Sequence, residues 1–331
     1  FTDSQIIVFL ASCQPFFYIF INLSALLYFL LQKYMEKTKA KPVLTETGNS
    51  DAKSTGLTNA AQIARKLNNE DKEIDMSKFH KSNNSVPAAS SAAIFYGRHP
   101  VAAAIANPRR QINKILCTAE NAEELRRLCT ENRRTPGLVN IVDRKEIDRI
   151  LPREAVHQGI AAYVRELENY TLEDICIMAG DRPDCHVLIL DQVTDPQNIG
   201  AIIRSCVAFD TLALIMQDKN APAETGAMAK ASAGMIEHLP ICRVTNLSRA
   251  VEQLKQSGFW TVGMDGYAET AIDKLKKGGK TAVIMGSEGK GMRRLVEEAC
   301  DITVHLPISA KVESLNVSTA AAIALYEISK K

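Results

Sequence analysis

The chain has 331 residues, 46% hydrophobic, 24% charged and 6% aromatic, a length that suits about two domains with enough apolar content to bury a core. Forty basic residues against thirty-eight acidic ones leave a net charge of +2, so bulk charge by itself points to no partner. This composition excludes a collagen-like chain, a wholly disordered one and a multi-span transporter.

Eight cysteines, at 13, 117, 129, 176, 185, 206, 242 and 300, form no C-x-x-C pair. Most sit in apolar runs, as small buried hydrophobes do, which argues against a secreted disulfide scaffold and for a reducing compartment. The six histidines stand at no zinc-ligand spacing from them, so no metal is expected.

Residues 1–34 differ from the rest. No charge lies between Asp3 and Lys33, and 6–31 is dominated by Ile, Phe, Leu, Val and Ala. About 20 apolar residues span a bilayer, so this reads as a membrane-spanning helix, with Lys33, Lys37, Lys39 and Lys41 marking the cytoplasmic side. A second reading makes it an extension upstream of a start at Met35, since the chain opens on Phe1 and a polar stretch follows Met35. The membrane is then a partner only if 6–31 is expressed. Residues 35–93 are rich in Lys, Asn, Ser, Thr and Ala and read as a disordered linker.

From Ile94 the pattern predicts strands at 94–96, 112–117, 138–142 and 159–164, with helices at 99–106, 122–130 and 144–150. Pro100 falls in the first turn of the first helix, where it is tolerated. This alternation predicts a small α/β sandwich over 94–165. It carries thirteen Lys or Arg against eight Asp or Glu, and the pairs 109–110, 126–127 and 133–134 fall at loops or helix ends. Such a surplus suits RNA phosphates, with Arg98, His99, Arg109 and Arg110 as candidate contacts, although a solvated helix face is the plain alternative. The stretch 166–184 reverses sign, with six acids against Arg182 alone, and reads as an acidic hinge with a helix at 172–179.

From 185 to 331, apolar runs at 187–190, 212–216, 260–264, 282–285 and 302–305 alternate with helices at 198–209, 227–233, 247–256, 293–299 and 312–329. Nearly continuous apolar strands predict a parallel sheet covered on both faces, with ligands at the carboxyl ends of its strands. Three segments lie there. The first, DPQNIGAIIRS at 195–205, brings Asn198, Gly200 and Arg204 to a helix start, and a capped helix with a surface arginine would look the same. The second, IMGSEGKGM at 284–292, is a glycine loop that fails the phosphate-loop order because Lys290 precedes Gly291. With Glu288 in its middle it suits a ligand carrying a cationic centre or one held by backbone groups. The third, LPISAKVESLNVSTAAAIALYE at 306–327, brings Ser314, Asn316 and Ser318 to a strand-to-helix junction, where a helix cap is the plain reading.

In this order and spacing the three segments closely resemble the signature motifs of the SpoU, or TrmH-like, RNA ribose 2′-O-methyltransferases of the knotted SPOUT class. FYGRHPVAAAI at 95–105 and HQGIAAYV at 157–164 are similar to the ends of the ribosomal-protein-like domain in the RlmB-type branch, which acts on a guanosine of 23S ribosomal RNA. Ala310 departs from a glycine common among relatives. The resemblance implies an α/β chain whose C-terminal parallel sheet is tied in a trefoil knot, preceded by a small RNA-binding domain. It implies S-adenosyl-L-methionine as cofactor, held by Gly286, Leu306 and Leu315 with Met285 and Ile308 nearby, and Arg204, Asn198, Glu288, Ser314 and Asn316 as catalytic residues. Arg204 is the implied group that activates the ribose hydroxyl, as a cation that stabilises the alkoxide or as a base; His99 and His157 are not read as catalytic, and Lys290 and Arg293 face RNA or solvent. The implied partners are 23S ribosomal RNA or its assembly precursor and a second copy of the chain, and the implied location is the cytoplasm. Two other readings stay open: a tRNA guanosine 2′-O-methyltransferase, and a non-catalytic RNA-binding or ribosome-assembly protein.

Overall fold

The computed structural model describes residues 92–330 apart from positions 220 and 277. The apolar segment 1–34, and the 35–93 linker up to residue 91, lie outside the described residues. No helix among the described residues is long and apolar enough to cross a membrane.

The first elements are β1 (Ala92–Tyr96), α1 (Arg98–Ala106), β2 (Ile112–Cys117), α2 (Ala119–Glu131), β3 (Val139–Ile141), α3 (Arg144–Ile150) and β4 (Ile160–Arg165). They form a four-stranded sheet in the order β1-β4-β2-β3, in which β4 is antiparallel to both neighbours and β3 parallel to β2. Ala122, Leu125 and Cys129 recur at helical spacing on α2 and pack with α1 onto Phe95, Ile115 and Ala162. The other face takes Ile147 of α3 with Leu116 and Ala161.

The remaining elements are α4 (Leu172–Ala179), β5 (Cys185–Leu190), α5 (Pro196–Ala208), β6 (Ala213–Gln217), α6 (Gly226–Ala231), β7 (Ile241–Val244), α7 (Leu247–Gln256), β8 (Trp260–Met264), β9 (Thr270–Ala271), β10 (Lys280–Met285), α8 (Arg294–Glu297), β11 (Ile302–His305) and α9 (Val317–Ser329). The seven strands run β7-β6-β5-β10-β8-β11-β9, every pair parallel. Both faces are covered, which is why the strands read as unbroken apolar runs. Leu188, Leu214 and Val283 pack with α5 and α9, whereas Val187, Ile189, Ile215 and Ile284 pack with α4 and α7. The register aligns Leu190 with both Met216 and Met285, and Met285 with Met264. The residues that follow, Asp191, Gln217, Asp265 and Gly286, therefore leave the sheet at one edge.

Several boundaries differ from expectation for local reasons. Helix α5 starts at Pro196, not 198, because the Asp195 carboxylate accepts from the backbone N–H groups of Gln197 and Asn198, both at 3.2 Å. Helix α9 starts at Val317, not 312, because the Asn316 side chain accepts from Ser318 N–H at 2.9 Å and ends the irregular stretch there. Strand β7 escapes the sequence pattern because Arg243 interrupts a four-residue run on the sheet edge.

The two sheets share one apolar cluster that runs from Phe95 and Ile105 to Leu188 and Val283. The acidic stretch read as a hinge is itself built in, since α4 buries Leu172, Ile175 and Ala179 against the large sheet. Arg110, expected on RNA, is instead 1% exposed. Its guanidinium pairs with Glu224 at 2.6 Å and Glu237 at 2.9 Å and donates to the Arg165 carbonyl at 2.6 Å. Burial lifts the Glu224 carboxyl above its usual range, and the Arg110 charge offsets part of that. One cation thus holds two buried carboxylates of the other sheet's helical layer. Burial also pushes the Cys206, Cys242 and Cys300 thiols up to about 12, so they stay protonated. Breaking a buried pair by removing one partner costs about 3–5 kcal/mol. Arg110→Met is therefore expected to lower the urea midpoint of unfolding by an amount that corresponds to a loss of that size.

Candidate active site

The site lies where the large sheet ends. Asp191, directly after β5, is fully buried, and its carboxylate accepts two hydrogen bonds from one residue, with which it also forms an ion pair. Arg293 donates its backbone N–H to Oδ2 at 2.8 Å and its Nε to Oδ1 at 2.8 Å, while Nη2 also lies 2.8 Å from Oδ1. Arg293 is thus paired and not a free surface group. It stands just before α8 and ties the end of the glycine loop, residues 286–292, to the end of β5. That loop closes on itself through reciprocal backbone bonds between Ser287 and Gly291 at 3.0 and 2.9 Å. A Cβ added at Gly286 would lie 2.1 Å from the Gly291 carbonyl carbon and 2.3 Å from the Met292 nitrogen, so only glycine fits.

Beside this loop opens a cleft of about 350 Å³. Met285, Gly286, Leu306, Ile308 and Leu315 all line it, together with Glu288 and Ser314. Most of its lining is backbone and aliphatic side chain, and the carboxylates of Asp265, Glu288 and Glu313 stand around it. His305 lines it as well, with its Nδ1 buried and without a hydrogen-bond partner. Apolar walls, carboxylates and an orphaned ring nitrogen fit a ligand with an aromatic part, polar groups and positive charge, the chemistry of S-adenosylmethionine. Asp265 and His305 were not singled out from sequence. Both stand at carboxyl ends of parallel strands, so the strand-end rule was the available signal.

At the cleft's edge two helix starts meet. The Asn316 side-chain amide donates to Asn198 Oδ1 at 3.1 Å, joining the residue that caps α9 to the first turn of α5. The starts of two thirteen-residue helices thereby meet near Ser314; the α5 end is already capped by the Asp195 carboxylate, and the α9 end by the Asn316 amide. Glu288 and Ser314 are exposed and make no hydrogen bond among the described residues. Gly200 permits a close backbone approach, that of α6 to α5: a Cβ there would come 2.5 Å from the Met228 carbonyl oxygen.

Arg204 is not brought to this cluster. It lies six residues beyond Asn198, about 9 Å along the helix and about 120° around it. It is exposed and makes no ion pair or hydrogen bond among the described residues.

The candidate RNA contacts mostly have other partners. Arg98 pairs with Glu124 at 2.8 Å and donates to Asn121 at 3.1 Å. Arg109 lies over the Tyr170 ring, 5.0 Å from its centroid, and donates to the Tyr170 hydroxyl. Only His99 of the four has a side chain without a partner among the described residues. His157 is structural: its Nδ1 accepts from Gly159 N–H at 3.1 Å, which leaves Nε2–H to donate to Asp148 at 2.9 Å. Gly286→Ala is expected to abolish S-adenosylmethionine binding in titration calorimetry, whereas Gly137→Ala, whose nearest neighbour would be 3.6 Å away, is expected to leave it unchanged.

Comparison with known proteins agrees with this arrangement. The model of the SpoU rRNA Methylase family matches residues 186–326, and that described as RNA 2′-O ribose methyltransferase substrate binding matches 94–170. A 23S rRNA (guanosine-2′-O-)-methyltransferase RlmB of Pseudomonas syringae pv. tomato is 38% identical over 238 residues, which cover 70% of this chain and 93% of the relative. An uncharacterized tRNA/rRNA methyltransferase of Synechocystis is 37% identical over 248 residues, 74% of this chain, and the chain spans 64% of that relative's length. Among solved structures, the SpoU methyltransferase AviRb from Streptomyces viridochromogenes, in complex with AdoMet, superposes with a TM-score of 0.60 at 24% identity, over 72% of this chain and 89% of that one, a likeness of fold. The chain belongs to the SpoU rRNA methylase family.

Proposed function

We propose that this chain is an S-adenosylmethionine-dependent RNA ribose 2′-O-methyltransferase whose target is a guanosine in 23S ribosomal RNA or its assembly precursor. The observation that carries this reading is the cleft, lined by Met285, Gly286, Leu306, Ile308 and Leu315, with the Asn198–Asn316 pair at its edge. A relative named for 23S rRNA guanosine methylation, 38% identical over 238 residues, supports ribosomal RNA as the substrate.

Once bound, S-adenosylmethionine supplies an already activated methyl group. The protein's task is to hold a ribose 2′-hydroxyl in line with it and to ease loss of the hydroxyl proton. Orientation of this kind is worth about 7–11 kcal/mol. The two helix N-termini at Asn198 and Asn316 supply fixed partial positive charge for the developing alkoxide. Glu288 and Ser314 face the same cleft and orient the ribose. Arg204 adds a full positive charge, and because a guanidinium does not lose its proton in proteins, it acts as an electrostatic clamp on the alkoxide and substrate phosphate and not as a base.

Arg204 stands apart from the cleft within one copy, which supports a working homodimer. Helix α9 also presents Ile323 and Tyr326, 38% and 50% exposed, with Phe209 5.9 Å from the Tyr326 ring. The trefoil knot and a cytoplasmic location belong to this proposal by family likeness, as does the ribosomal-protein-like character of the small domain.

Mapping of ribose methylation across large-subunit RNA tests the assignment. A strain lacking the gene is expected to lose one guanosine 2′-O-methyl group and to regain it with the full chain; an unchanged map overturns the ribosomal assignment. Arg204→Ala is expected to lower the methyl-transfer rate by about 10²–10³-fold, and Arg204→Lys, which keeps the charge, by less.

A further inference from the structure

A second hollow, of about 500 Å³, opens on the other side of the glycine loop. It shares Ser287 and Glu288 with the cleft, so the two hollows meet at these residues and the ribose of an occupant can reach the cleft there. Its size falls within the roughly 300–1,000 Å³ of small-molecule sites. We propose that it is the acceptor-nucleotide subsite, taking one unstacked nucleotide of the RNA with its base on the floor and its phosphate at the rim. This inference rests on the reading of the chain as an RNA methyltransferase.

Four observations converge on a nucleotide. First, the floor is made by Leu190 and Met216, buried side chains at the aligned ends of β5 and β6, and such a surface suits the flat face of a base. Second, three polar side chains point to an edge-reading site: the amides of Gln192 and Gln217 and the hydroxyl of Thr194 line the hollow and have no partner among the described residues. Each amide offers both a donor and an acceptor, which is what the polar edge of guanine requires.

Third, Lys219 and Lys290 stand at the rim, both exposed and without an ion pair among the described residues, so two cations are available for phosphate. Among the described residues the single acid in the lining is Glu288, on the wall shared with the cleft. Fourth, Gln192 sits at φ +61°, a left-handed conformation that costs a non-glycine residue energy and that clusters at ligand sites. It is held there from both sides, by Asp191 locked to Arg293 and by Val193, 7% exposed. Sequence-specific RNA recognition takes bases that have left the stack, and a concave polar pocket with a cationic rim receives such a base.

The full chain is tested in two ways. Saturation-transfer NMR with guanosine 5′-monophosphate as probe is expected to give a signal that Lys219→Ala/Lys290→Ala removes, with S-adenosylmethionine affinity unchanged by calorimetry. In methyl transfer to a large-subunit RNA transcript, the same double variant is expected to raise KM by about tenfold or more. Its salt dependence is expected to be shallower by about 1.4 in log–log slope, 0.7 for each lost phosphate contact. Gln217→Ala, which leaves the lysines in place, is expected to narrow the preference for guanosine over adenosine monophosphate. A nucleotide signal that survives the double variant, or an unchanged KM, overturns the subsite. Failure of the wild-type chain to methylate any RNA overturns the functional reading instead, and the nucleotide titration still decides whether the hollow binds.

Discussion

A carboxylate withdrawn completely from water is tolerable only when every lone pair is met and its charge is answered. Asp191 is that carboxylate, and Arg293 meets it with a backbone N–H and a guanidinium. The bond crosses from the end of β5 to the far end of the glycine loop and fixes where that loop lies. The loop borders both the cleft and the second hollow, so the position of Glu288, which lines the two, follows from this pair. Gly286 permits the same closure from the near end, where the chain passes too close to itself for any side chain.

A comparable device joins the two sheets. Arg110 answers Glu224 and Glu237 inside a continuous apolar cluster, and the acidic stretch between the domains is packed against the large sheet. The small domain is therefore carried at a fixed place relative to the catalytic edge and does not swing on a tether. The proposed reaction gains from such rigidity, because RNA seated on one domain would be presented to the other in a single orientation.

The chemistry asks little of any single side chain. The methyl donor is activated by its own charge, and the chain contributes orientation and positive potential. In the proposed reaction that potential comes from two helix starts joined by the Asn198–Asn316 hydrogen bond, and from Arg204. Arg204 stands apart from the cleft within one copy, and the proposed mechanism has a second copy bring it there.

Residue order alone determined the alternation of elements, because apolar runs of strand length and the helical spacing of residues such as Ala122, Leu125 and Cys129 are local properties. It also determined the three motifs, since their residue types and spacing are carried by consecutive positions. Partnership was decided only in three dimensions. Arg110 and Arg109 look like surface cations in sequence, and their partners Glu237 and Tyr170 stand 127 and 61 residues away. Asp191 and Arg293 are 102 residues apart, and nothing local marks either as the other's counter-charge. The strand register, which sets Asp191, Gln217, Asp265 and Gly286 on one edge, arises from pairing between distant segments. Burial of a charge depends on what the rest of the chain brings to it, and that is a property of the fold and not of the neighbouring residues.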